Sequence, residues 1–285
     1  MSDTPTPPEY PAAPGSSDDT AQASAGPDAP DYAAAPAGPE DEPPMSTAET
    51  LSGVFFEPGR TFEHLRRRPR FLAAALVMIA LTSAFVFLIY NRVSYEEIVR
   101  KAIESTPRTA DMPAAQKEKV VAMQTGPIFK TIAYVSRPVG VLVYLFIGGA
   151  LYLLGVMAMG KAVSYRQALS VWTYSSLPPY VLSMVANIIL LFVKPAEEIT
   201  PEDVQRGLAR ANLSVLVDPA SRPVMATALG LFDVFAVYGL ILAAVGVHKV
   251  SKLSSGSAWG VVLVIWLVGA VIRLAMATAF GIPLA

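Results

Sequence analysis

His64 and His248 are the only imidazoles among 285 residues, and cysteine is absent. That excludes disulfides, Cys-ligated zinc, iron–sulfur clusters and thiol chemistry. There is no HExxH pair, no phosphate-cradling Walker A loop and no GxGxxG placed between a strand and a helix. The sequence therefore offers no catalytic, cofactor-binding or metal site. The residues left with chemical potential are polar groups in apolar surroundings: Asp233, Arg273 and Asn187. An ionised group at membrane depth is costly, so such residues pair with each other or line a functional path.

The elements that hold these residues are hydrophobic segments. Hydrophobic residues make up 53% of the chain and charged residues 16%, where globular proteins carry roughly 25% charged. Mean hydropathy is +0.45. A helix needs about 20 apolar residues to cross the hydrocarbon core. Five segments meet that length, at about 71–90, 138–160, 169–193, 224–247 and 258–280. The expected fold is all-α: a polytopic membrane bundle of five transmembrane helices, with none of the alternation of a membrane β-barrel. Gly148, Gly149, Gly155, Gly239 and Ala243 would let its helices approach closely.

Net charge is −1 overall but sharply divided. Residues 1–59 carry 11 acidic and no basic side chains; residues 60–285 carry 22 basic and 12 acidic ones. Residues 1–44 contain 11 prolines and little apolar surface, a composition expected to be disordered. They lack the basic start and apolar stretch of a signal peptide.

Basic residues cluster beside the first span (Arg60, Arg66, Arg67, Arg68, Arg70) and in the short 2–3 and 4–5 connections (Lys161, Arg166; Lys249, Lys252). The positive-inside rule puts these in the cytoplasm, with the C-terminus outside. Within 45–70, Ser46 and Glu49 have capping-box spacing, and Pro58 suits the first turn of a second helix. That second helix carries Phe62 and Leu65 on one face and ends in the arginines. The pattern predicts a helix lying in the headgroup layer, with Arg66, Arg67, Arg68 and Arg70 on anionic lipid at about 1 kcal/mol each.

On this topology Asp233 lies roughly 14 Å, Arg273 roughly 10 Å and Asn187 roughly 9 Å below the outer surface, at 1.5 Å per residue. The expectation is an Asp233–Arg273 ion pair with Asn187 nearby. It either locks spans four and five together or serves a solute or proton site; the remaining reading is a snorkelling Arg273 with a lone, protonated Asp233. Pro178 and Pro179 in mid-span three predict a helix break that frees the carbonyls near Tyr174 and Ser175. Outside the spans, residues 94–103, 112–124 and 200–211 predict short helices over the outer face.

Three stretches together resemble the Yip-one domain family of Ypt/Rab-interacting-type membrane proteins. They are FFEPGRTFEHLRRRPR (55–70), VSYRQALSVWTYSSLPPYVL (163–182) and LFDVFAVYGLILAAVGVHKVSKLSSGSAWGVVLVIWL (231–267). The chain lacks the Asp-Leu-Tyr-Gly-Pro stretch of eukaryotic members, so the resemblance is to the bacterial branch. It implies a five-span bundle in the bacterial cytoplasmic membrane, roles in trafficking, membrane shaping or partner binding, and no catalytic residues. The function expected is thus a non-enzymatic scaffold or adaptor for lipids or partner proteins, alone or in a homo- or hetero-oligomer. The alternative is a transporter or channel component built around Asp233 and Arg273.

Overall fold

The computed structural model describes residues 44–105, 109, 111–219 and 221–281. Residues 1–43 lie outside that range, and with them nearly all of the expected tail.

Among the described residues, eleven α-helices run in the order α1 (Thr47–Phe56), α2 (Pro58–Arg67), α3 (Leu72–Arg92), α4 (Tyr95–Ser105), α5 (Ala114–Gln124), α6 (Pro127–Ala158), α7 (Tyr165–Val193), α8 (Pro201–Arg206), α9 (Pro223–Gly230), α10 (Val234–Ser251) and α11 (Ser255–Phe280). Five of them (α3, α6, α7, α10 and α11) are long and apolar enough to cross a membrane. The described residues contain no strand. The bundle has a near end, carrying α1, α2 and the α6–α7 and α10–α11 turns, and a far end covered by α4, α5, α8 and α9.

Helix starts follow local chemistry. Ser46 and Glu49 form a reciprocal capping box on α1, Ser164 and Gln167 on α7, and Thr200 and Asp203 on α8. Each box satisfies amide groups that the first turn leaves without partners. Pro58 occupies the first turn of α2 and Pro127 that of α6. The second span therefore begins eleven residues before the apolar run that announces it.

The hub is α7, which packs on α3, α6 and α10 and receives α1 and α2 near its N-terminus. Small residues make the close approaches. A Cβ on Gly149 would lie 2.9 Å from Leu169 Cα, and one on Gly148 would fall within the Trp172 ring. A Cβ on Gly246 of α10 would meet Val171 at 2.8 Å and Phe62 at 2.9 Å.

That last contact corrects the expected placement of α2. Phe62 and Leu65 are fully buried in the main core with Val171, Tyr174 and Val247. The apolar face of α2 is covered by protein, not by headgroups. An amphipathic pattern cannot say which apolar phase will cover it; the gap opposite Gly246 does. Glu63 pairs within α2 with Arg66 at 2.6 Å and ties the helix to the bundle through Lys252 of the α10–α11 turn at 2.9 Å.

Pro178 and Pro179 do not end the third span: α7 is one helix from Tyr165 to Val193. The two prolines remove donors without reversing the chain. The Ser175 carbonyl they affect faces Gly239, whose missing side chain brings α10 close. Tyr180, one residue on, hydrogen-bonds Thr82 of α3. The fourth span is the one that breaks. The apolar run 224–247 is divided into α9 and α10 by a turn at 231–233, leaving 18 residues in α10.

Candidate functional site

Asp233 sits at that turn. Its Oδ1 accepts from the Phe235 amide at 2.8 Å and the Ala236 amide at 3.3 Å, and Asn212 donates to Oδ2 at 3.1 Å. It is the N-cap of α10, where a carboxylate satisfies free amides and faces the positive end of the helix. The expected pair with Arg273 is not formed: no ion pair joins them within 4.0 Å, and Arg273 makes no hydrogen bond or ion pair among the described residues. The local reason is that helix capping already occupies the carboxylate. Asparagine caps as well as aspartate. Asp233→Asn is therefore expected to leave thermal stability in detergent nearly unchanged, and Asp233→Ala to lower it by about 1 kcal/mol.

Asn187 is also committed elsewhere. Its Oδ1 accepts from the amides of Leu208 at 2.5 Å and Ala209 at 3.1 Å, and its Nδ2 donates to the Ser183 carbonyl. The chain can pass this close because Gly207 has φ +92° and no side chain; a Cβ there would lie 2.7 Å from Asn187 Oδ1. Asn187 thus ties the 194–222 connection to α7.

Asp233 and Arg273 nevertheless face one space. A cavity of about 960 Å³ lies among α6, α7, α10 and α11 under the far-end connection. It extends along α6 from Ser136 to Tyr152, or roughly 24 Å at 1.5 Å per residue. Its floor is Tyr152, Trp172 and Val262, which belong to or pack on the main core; Trp172 meets Tyr152 edge-on with centroids 4.7 Å apart. Four guanidinium groups line the cavity (Arg137, Arg206, Arg210 and Arg273) against the single carboxylate of Asp233. Arg137 donates to the Val204 carbonyl, and Arg210 pairs with Asp203 at 3.4 Å.

The far-end connection is the rim. Asp203 of α8 takes Lys194 at 2.7 Å, Arg210 at 3.4 Å and the Thr200 amide at 3.0 Å. Burial alone would raise its carboxyl, but the Lys194 and Thr200 hydrogen bonds and the Lys194 charge outweigh that and hold it below the usual carboxylate range. At the near end, Arg70 donates to His64 Nε2 at 3.2 Å. Burial first, then Arg70, Arg68 and Arg67, lowers the His64 imidazole, which favours the neutral form that can accept that hydrogen bond.

The Yip1 domain matches residues 52–276, which is most of the chain. The chain belongs to the Yip1 domain family. It is similar to the Bacillus subtilis (strain 168) protein named membrane protein YknW, with 25% identity over 210 residues covering 74% of this chain and 82% of the relative. No solved structure matches it.

Within this Yip1-family bundle, the sequence pointed to Asp233 and Arg273 but missed Arg137, Arg206, Arg210, Tyr144 and Trp172. Arg137 sits beside Pro138 and read as the edge of a span. The signal for it is Gly126-Pro127, because a helix starting there puts Arg137 about ten residues, roughly 15 Å, inside.

Proposed function

We propose that this integral membrane protein binds a ligand inside its helical bundle, in the cavity that Asp233 and Arg273 share. The observation that carries this reading is a cavity extending roughly 24 Å along α6 and lined by four arginines against one aspartate. Ligand sites form preferentially between the helices of bundles and take up about 300–1,000 Å³. The orientation that goes with it has the near end in the cytoplasm and the cavity mouth outside. Its support is the grouping of Arg60, Arg66–Arg70, Lys161, Arg166, Lys249 and Lys252 around one end.

The scaffold or adaptor reading has its own support at the near end. Phe56 is 84% exposed beside α2, and Arg60, Arg67 and Arg68 are exposed on the same segment. That surface suits anionic lipid or a protein partner, while the buried face of α2 holds it to the bundle.

The absence of native cysteine makes the cavity directly testable. In spheroplasts, Gly269→Cys and Ser183→Cys are expected to react with a sulfonated methanethiosulfonate added outside. Leu145→Cys, buried in the core, is expected to stay unlabelled. Silence at Gly269 and Ser183 from both sides would mean a dry bundle and end the reading. Labelling in inverted vesicles alone would reverse the orientation.

A further inference from the structure

We infer that the ligand of this cavity is an anionic amphiphile: an oxyanion head, phosphate or carboxylate, on a hydrocarbon tail. The inference rests on the cavity reading and adds the ligand's chemical class.

Charge gives the head. The only acidic residue lining the cavity, Asp233, is occupied by two helix amides and Asn212. It offers little to a cation. Arg137 donates only to a backbone carbonyl, and Arg273 has no hydrogen-bond or ion-pair partner among the described residues. Both lie in the far halves of their helices, and both face the cavity. Guanidinium groups without carboxylate partners match the two-oxygen geometry that phosphate and carboxylate present. Tyr144 and Ser176, whose hydroxyls are 3.2 Å apart, stand on the same wall and can hydrogen-bond a polar head.

Shape gives the tail. Helices α6 and α11 touch in their near-end halves, where a Cβ on Gly155 would lie 2.6 Å from Val261. Farther along, the cavity separates them. An added Cβ on Gly140 of α6 or on Gly269 of α11 would meet no atom within 4 Å, although both residues line the cavity. Tyr144 lines it as well and is 47% exposed on the bundle surface. The space thus extends sideways between α6 and α11 in their far-end halves. Val141, Ile265 and Trp266 give that opening apolar walls. At about 960 Å³ it far exceeds the needs of a free phosphate ion.

The test uses the full chain in a neutral maltoside and calorimetric titration with three probes: dioctanoyl phosphatidylglycerol, dioctanoyl phosphatidylcholine and glycerol 1-phosphate. The phosphatidylglycerol is expected to bind at least about tenfold tighter than either other probe, and Arg273→Gln to weaken it about tenfold. Gly269→Phe fills space that no atom occupies. It is expected to abolish binding with an unchanged melting temperature, so it remains informative if Arg273→Gln fails to fold. Equal binding of phosphatidylcholine would overturn the anionic head. Equal binding of glycerol 1-phosphate would overturn the tail and identify a free phosphate compound as the source of the oxyanion. Binding indifferent to both substitutions would place the probe in the detergent belt and overturn the inference. If no probe binds while Gly269→Cys still reacts with the thiol reagent, the ligand class fails and the cavity reading stands. If neither occurs, both fail.

Discussion

Phe62→Ala is expected to destabilise the bundle by about 3–5 kcal/mol, the range for removing a fully buried aromatic ring from a core. Phe62 is 0% exposed, and its ring edge meets the surface of Gly246 while α2 lies across α7 and α10. Truncation leaves a void that Gly246 cannot fill, because it has no side chain, and that Val171 cannot reach without moving α7. The readout is chemical unfolding in mixed micelles, followed by near-ultraviolet dichroism. Arg67→Gln, on the exposed side of the same helix, is the control. It is expected to change stability by no more than about 0.5 kcal/mol, as surface substitutions do. If α2 instead lay in the headgroup layer, Phe62→Ala would lower membrane affinity and leave bundle unfolding unchanged. That outcome would reject the docked position of α2.

The reason α2 was misplaced from sequence is general to amphipathic helices. Phe62 and Leu65 announce a buried face, but lipid and protein interiors are equally apolar, and a one-dimensional pattern does not separate them. The deciding residue, Gly246, lies 184 positions downstream. The spans themselves were legible because each is a local property: twenty apolar residues in a row suffice. The capping box at Ser46/Glu49 was legible for the same reason.

The fourth span shows the opposite case. Residues 224–247 are apolar throughout apart from Asp233, so hydropathy reads one helix where the chain makes two. A lone aspartate in an apolar run has two readings, a membrane charge and an N-cap, and here it is the cap. The cavity was legible only in part. A void is defined by where atoms are missing, and its rim depends on pairs such as Arg137 with Val204 that lie 67 residues apart.

Asp203 offers the sharpest way to separate the rim from the bundle. Its carboxylate, 8% exposed, gathers Lys194 from the end of α7, Arg210 from the connection and the amide of Thr200. The carbonyl of the next residue, Val204, receives Arg137. Removing one partner of a buried ion pair costs roughly 3–5 kcal/mol. Lys194 and Arg210 are about 30% exposed and can turn toward water, so Asp203→Ala is expected to cost about 2–3 kcal/mol, below that range. The loss should be local. Hydrogen exchange is expected to speed up over residues 196–210 while α7 and α10 stay protected. Asp203→Asn keeps the size but not the charge, and is expected to cost nearly as much. The pH dependence has a definite sign. A carboxyl held below its usual value contributes stability that is fully present above the unfolded-state value, near 3.9. That stability is lost as pH falls through the lower folded value. Exchange over 196–210 should therefore be insensitive to this group between about pH 5 and 8, and rise only in stronger acid, whereas Asp203→Ala should abolish that acid limb. Unchanged exchange in Asp203→Ala would mean that the rim is held by Asn187 and Arg137 alone. In that case the cavity mouth would keep its form without any carboxylate at position 203.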